Sequence, residues 1–325
     1  MYETLPIRLG LFAILVSTCA FAADAEIASA NSDTYHSTVS EVRLSLFATD
    51  NKNHPFDTLT QSDFAVIDDE LVVREFRSFS RANETALDVV ILLDLSESVA
   101  PRLRFTLEDV TRVMAAEEPL SNDHLSVISF GGASATNPST GSRPVVLCAD
   151  ACHSSTSTIN SLGFGSGGAT PLYDALIFGA NFMWRRHLAG VRQVILLFSD
   201  GNDTSSIHTA HDALEAVSHS GALLYAVDVR NSTHHSVNAM EGISFLQQLS
   251  EATGARYIWH HGTRQENAAE VLDGVLADLR ASYVVTYALP NHHPGLHSLR
   301  VLPTRNLNLT FHNRDSYDYD DPSCQ

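Results

Sequence analysis

Asp88-Val89-Val90-Ile91-Leu92-Leu93-Asp94-Leu95-Ser96-Glu97-Ser98 is the stretch on which the fold turns. Its unbroken apolar run is what a parallel strand buried on both faces requires. The run ends on a carboxylate, and hydroxyls follow at every second position. In extended chain, residues i, i+2 and i+4 point the same way, so Asp94, Ser96 and Ser98 can converge on one point.

Outward from this strand, Leu103, Leu107, Val110 and Met114 recur at helical spacing. Leu125 to Phe130 and Val145 to Leu147 read as strands, and Leu172, Ala175, Leu176, Gly179 and Met183 line a helix face. Val194 to Phe198 is a second all-apolar strand, and a helix around Ala210 to Val217 follows it. A strand at Leu223 to Val229, a helix at Phe245 to Ala252, a short strand at Tyr257 to Trp259 and a helix through Val271, Val275 and Leu279 complete the series. Strands alternating with helices imply an α/β fold with a doubly wound, mostly parallel sheet over residues 85–283.

Ligands collect outside the carboxyl ends of such strands, where the strand order reverses. The second apolar strand runs into Phe198-Ser199-Asp200-Gly201, which puts another carboxylate at that edge. Between the two, Gly167-Gly168-Ala169-Thr170-Pro171 delivers a hydroxyl from a glycine-rich turn just before a helix. Singly, each residue has an ordinary reading: Ser96 and Ser98 as helix caps, Thr170 as an N-cap before proline, Asp200-Gly201 as a turn. Asp203 lies close by and reads as a solvated loop carboxylate, with an outer support of the site as the alternative. Taken together and in order, the three segments form an all-oxygen set suited to a hard cation, Mg²⁺ or Mn²⁺.

The set resembles the metal-ion-dependent adhesion site of the von Willebrand factor type A (VWA) domain, a Rossmann-like fold whose hallmark is D-x-S-x-S with a distant Thr and Asp. Asp94, Ser96 and Ser98 match the first loop, Thr170 the second and Asp200 the third. The resemblance implies that the hydroxyls bind the metal directly and the aspartates directly or through water. It also implies an open coordination position, which the acidic side chain of a partner protein completes, and hence a binding role without catalysis. A metal-dependent hydrolase of phosphatase type is the alternative on a similar sheet. Such enzymes need a second Asp two residues after the nucleophile for general acid work, where this chain has Ser96.

The regions flanking the sheet read as β structure. Val42 to Leu46 alternates apolar and polar residues, and Phe64 to Ile67 with Val72 to Phe76 frames Asp68-Asp69-Glu70 as a hairpin. Beyond Tyr283, Val284 to Leu289, His297 to Leu302 and Leu307 to Phe311 repeat the pattern. Neither side has enough strands to stand alone, so residues 38–82 and 284–314 are expected to pair into one small β subdomain. Residues 315–325, with Asp318, Asp320 and Asp321, are expected to form a solvated acidic tail. Asp57 to Asp69 and Leu279 to Tyr287 look like the flanks of exported bacterial VWA-related proteins.

Residues 1–22 have the pattern of a signal peptide, with Arg8, an apolar core at Leu9 to Val16 and Ala20-Phe21-Ala22 for cleavage. Residues 23–37 read as a linker. The expectation is an exported protein, periplasmic or extracellular, with no transmembrane segment once the signal is removed. With Cys19 removed, Cys148 and Cys152 are spaced to close a disulfide loop, and Cys324 has no partner. The formal charge of -18 repels phosphate backbones and argues against nucleic acid as a partner. Of 16 histidines, several are adjacent pairs such as His292-His293. Neighbours on a strand face opposite sides, so a pair makes a poor two-ligand set.

Overall fold

A computed structural model describes residues 41–319 apart from 83–85, 116–123, 133–135, 138–140, 151, 156, 158, 160–161, 163–167, 187–190, 231–236 and 260–266. The segments expected as signal peptide and linker, residues 1–22 and 23–37, as well as Gly167 and Cys324, lie outside the described residues. The first strands are β1 (Glu41–Thr49), β2 (Pro55–Phe56), β3 (Phe64–Asp68), β4 (Leu71–Val72) and β5 (Ser78–Arg81). Next come β6 (Leu87–Asp94), α1 (Leu103–Ala115), β7 (His124–Phe130), β8 (Thr136–Asn137), β9 (Gly141–Ser142), β10 (Val145–Ala149) and α2 (Leu172–Arg186). The series continues with β11 (Arg192–Ser199), α3 (Ala210–Ser220), β12 (Leu223–Asp228), α4 (Val237–Thr253), β13 (Tyr257–Trp259) and α5 (Asn267–Arg280). It ends with β14 (Tyr283–Ala288), β15 (Gly295–Pro303), β16 (Thr310–Asn313) and β17 (Ser316–Tyr319).

The main sheet runs β10-β7-β6-β11-β12-β13. Its neighbours are parallel except β10, which pairs antiparallel with β7 at the edge. All of β6 is buried because helices cover both faces. On one face α1 and α5 set Leu103, Leu107, Val275 and Leu279 against Val89, Ile91 and Leu93. On the other, α2, α3 and α4 set Leu176, Met183, Val217 and Leu249 against Val90 and Leu92. Alternate residues of one strand thus serve opposite cores. Strand order reverses at β6, with β7 on one side and β11 on the other.

Two smaller antiparallel sheets, β16-β1-β14-β5 and β17-β15-β3-β4, are built from the flanks. β1 pairs with β14 from Glu41 opposite Ala288 to Leu46 opposite Tyr283, so segments on either side of the α/β part share one ladder. Leu44, Leu46, Phe64, Val66, Val285, Tyr287 and Leu299 form a single core between the sheets. β5 pairs with β14 with Arg81 opposite Tyr283, so the chain leaves for the α/β part and returns from it at adjacent positions. Arg192 at the start of β11 fastens this junction. Its buried guanidinium donates to the carbonyls of Ala82 (3.3 Å) and Leu279 (3.0 Å) and to Ser282 Oγ (3.1 Å).

The region expected as a solvated tail supplies a strand instead. β17 pairs with β15 from Gly295 opposite Tyr319 to Ser298 opposite Ser316. The physical reason is alternation: Tyr317 packs on the core while Asp318 points outward to His219. The hairpin after β3 forms, but β4 is short. Asp69 and Glu70 both take positive φ (47° and 66°), as a tight two-residue reversal demands, and the chain leaves the ladder soon after Val73. Leu307, expected in a strand, is exposed in the turn before β16. No helix of the described residues is long and apolar enough to cross a membrane.

Candidate metal centre

β6 and β11 end side by side, with Leu93 paired to Phe198, so Asp94 and Ser199 become neighbours just beyond the last rung. Ser199 Oγ donates to Asp94 Oδ2 at 2.7 Å, and the Ser96 amide donates to Oδ1 at 2.9 Å. Both partners are neutral, and Asp94 is buried. Burial pushes its carboxyl up to about 7, against the lowering effect of these bonds, and nearby Asp200 raises it further. The chain then turns so that Ser96 Oγ and Ser98 Oγ stand 3.1 Å apart.

The second loop is held from both sides. The Thr170 amide donates to Thr204 Oγ1 at 2.8 Å, and the Thr204 amide donates back to the Thr170 carbonyl at 2.9 Å. The Glu97 amide reaches the Gly168 carbonyl at 3.4 Å. Gly131, at φ +70°, makes room: a Cβ there would lie 3.2 Å from both Ala169 O and Ser96 N. The first and second loops are thus joined by a backbone hydrogen bond, with Gly131 packed against both.

In the third loop, Asp200 Oδ1 accepts the Asn202 amide at 3.1 Å, and the Asp200 carbonyl accepts Arg230 Nη2 at 2.8 Å. Gly201 has φ +80°, and a Cβ on it would come within 2.4 Å of Gly242 O, so α4 abuts this loop. Asp203 is not simply solvated. It accepts the Tyr173 amide at 3.3 Å and Ser206 Oγ at 2.5 Å, satisfying part of the open N-terminus of α2. Ser199, Thr204 and Arg230 are supports that sequence reasoning missed. Ser199 directly precedes Asp200, and that adjacency was the available signal.

A cleft of about 660 Å³ opens over these loops, lined by Glu97, Ser98, Thr170, Tyr173, Glu241 and Phe245 among others. The structure thus brings Asp94, Ser96, Ser98, Thr170 and Asp200 to one sheet end. Their donors are all oxygens. An octahedral Mg²⁺ with bonds of about 2.1 Å holds adjacent ligands about 3.0 Å apart, close to the Ser96–Ser98 spacing. The donor set fits a hard divalent cation. Below the sheet end, Cys148 of β10 is joined to Cys152.

Residues 88–253, about half of the chain, match the family model of the von Willebrand factor type A domain, and the chain belongs to that family. No curated protein sequence matches it. Among solved structures it is similar to an aerotolerance-related membrane protein from Bacteroides fragilis, at 17% identity and TM-score 0.43 over 60% of this chain and 98% of that one. It is also similar to the pilus adhesin SpaC from Lactobacillus rhamnosus GG in its open conformation, at 12% identity and TM-score 0.47 over 88% of this chain and 49% of that one. A manganese-loaded TRAP protein of Plasmodium vivax aligns at 13% identity and TM-score 0.42 over 78% of this chain and 98% of that one.

Proposed function

We propose that this chain is an exported, non-enzymatic module that binds another protein through a Mg²⁺ or Mn²⁺ ion held by Asp94, Ser96, Ser98, Thr170 and Asp200. The observation that carries the reading is the buried Asp94 carboxylate, hydrogen-bonded only to neutral groups and set beside Asp200 at the switch point of the sheet. A divalent cation is the natural counter-charge for such a pair. Hydroxyl ligands add no charge, so the ion keeps enough attraction for a partner carboxylate entering from the cleft. The acidic rim at Glu97 and Glu241 opposes that approach, but screening limits the opposition to about 8 Å at physiological salt. The Cys148–Cys152 bond suits the oxidising compartment that export provides.

The reading is tested by calorimetric titration of metal-free protein with Mg²⁺ and Mn²⁺, using wild type and Asp94→Ala. Binding heat is expected only in the wild type, and equal heats overturn the ligand set. Binding of envelope proteins to the immobilised chain tests the mechanism. Thr170→Ala is expected to weaken retention more than tenfold, about 1.4 kcal/mol, with a smaller loss of metal affinity. Retention that persists in excess chelator places the binding surface elsewhere.

A further inference from the structure

The β subdomain holds a cluster of donors that the reading above does not use. Asp69 in the turn after β3, His293 in the turn before β15, and His297 on β15 bring one ligand atom each within 4.8 Å of the others. His293 Nε2 stands 2.9 Å and His297 Nδ1 2.7 Å from the same Asp69 oxygen, Oδ2. The other oxygen, Oδ1, accepts the Ser298 amide at 2.9 Å.

The tautomer of His297 follows from its second contact. Nε2 lies 2.8 Å from the His293 carbonyl, which can only accept, so Nε2 carries the proton. Nδ1, the ring's other nitrogen, faces the cluster. That atom is buried and has no hydrogen-bond partner, its short approach to Asp69 lacking hydrogen-bond direction. Asp68 Oδ1 is also buried and unpartnered, 3.6 Å from the same nitrogen, while Asp68 Oδ2 accepts the hydroxyls of Tyr287 and Tyr317, each at 2.8 Å. A buried ring nitrogen and a buried carboxylate oxygen, each without a hydrogen bond, are polar groups that a fold does not keep without compensation.

We propose that Asp69, His293 and His297 bind a divalent transition metal of the zinc class, with water in the fourth position. Imidazole nitrogen selects this class over Mg²⁺ or Ca²⁺. Around tetrahedral zinc with bonds of about 2.0–2.2 Å, ligand atoms stand about 3.3 Å apart. On loading, the half-exposed His293 ring, stacked on His297 with centroids 4.2 Å apart, turns so that both nitrogens face the ion. The spacings to Asp69 then open by about half an ångström. The outer contacts of such a site are already made: a ring N–H on a backbone carbonyl and the carboxylate on an amide. The side chain of His293 is 45% exposed and gives the ion a route in. Once bound, the metal ties the β3–β4 turn to the β14–β15 turn, two segments from opposite flanks of the VWA domain.

The test uses metal-stripped full chain, titrated with Zn²⁺ by calorimetry and with Co²⁺ by visible absorption. Wild type and Asp94→Ala are both expected to show the intense cobalt bands of a four-coordinate site. His293→Ala, a change at a half-exposed ring, is expected to lose those bands and one equivalent of Zn²⁺ while keeping its circular dichroism spectrum. Saturating Zn²⁺ should raise the melting temperature of Asp94→Ala but not of the double variant Asp94→Ala/His293→Ala. Equal zinc stoichiometry in wild type and His293→Ala, or cobalt bands that survive the change, overturns the proposal. The imidazoles then stand in ion pairs with Asp68 and Asp69. Because Asp94→Ala is carried in parallel, failure here is separate from failure of the site at the sheet end.

Discussion

Replacing Asp94 by Asn isolates the electrostatic stress at the centre of the sheet. Burial above all pushes the Asp94 carboxyl up to about 7 in the folded chain, against 3.8 for a free aspartate side chain. A carboxyl with a raised folded value keeps its proton through a window in which the unfolded chain has released it. Its contribution to stability is therefore complete below about pH 4 and is lost as pH rises through about 7. Between pH 5 and pH 8 the proton-binding ratio changes nearly a hundredfold, which is about 2.5 kcal/mol. Asn carries no titrating proton and retains an oxygen to accept the Ser96 amide. Urea unfolding in EDTA at the two pH values, followed by fluorescence, reads the α/β part because Trp184 and Trp259 both lie in it. The wild type should lose about 2.5 kcal/mol more than Asp94→Asn between pH 5 and pH 8. Mg²⁺ at pH 8 should restore the wild type only, since it binds the deprotonated form. Parallel pH dependence in the two proteins would refute the reasoning.

Four further outcomes follow from the contacts. Gly201→Ala forces a Cβ into the Gly242 carbonyl at positive φ and should cost about 2–4 kcal/mol by thermal denaturation, with weaker metal binding by titration. Arg192→Leu strands the carbonyls of Ala82 and Leu279 and should cost about 2–3 kcal/mol; unfolding by urea decides it. Reduction of Cys148–Cys152 frees a loop so short that stability should fall by only about 2 kcal/mol, read by melting with and without reductant. Deleting residues 284–319 removes the partners of β1 and β3, so residues 41–82 should become sensitive to limited proteolysis; protection that survives the deletion contradicts the shared core.

Where pattern and burial coincide, the sequence was enough. Val89 to Leu93 could only be a strand covered on both sides, and the polar residues after it could only lie at the sheet edge. The pairing of the two flanks followed from too few strands on each side. The tail was misjudged because net acidity was weighed ahead of the Ser316-Tyr317-Asp318-Tyr319 alternation, in which only one side needs to be apolar. β5 was missed because four residues of β structure, Ser78 to Arg81, acquire their meaning only from the β14 edge. At the candidate centre the oxygen donors were legible, but the hydroxyl of Ser199 and the guanidinium of Arg230 act through contacts that no spacing announces. The histidines were judged as adjacent pairs, whereas the cluster takes one member of the His292-His293 pair and reaches across a turn to His297.

The ladder between β1 and β14 also sets how this molecule would bear a load. β14 meets the α/β part at Tyr283, while the Glu41 end of β1 lies at the other end of the ladder, opposite Ala288. Tension between the Glu41 end of β1 and the α/β part would drag the two strands lengthwise past each other. All the rungs would then share the force, and none would open before its neighbours as they do when a strand is peeled from its end. The same pairing that completes a small core therefore makes the connection to the α/β part a shear joint.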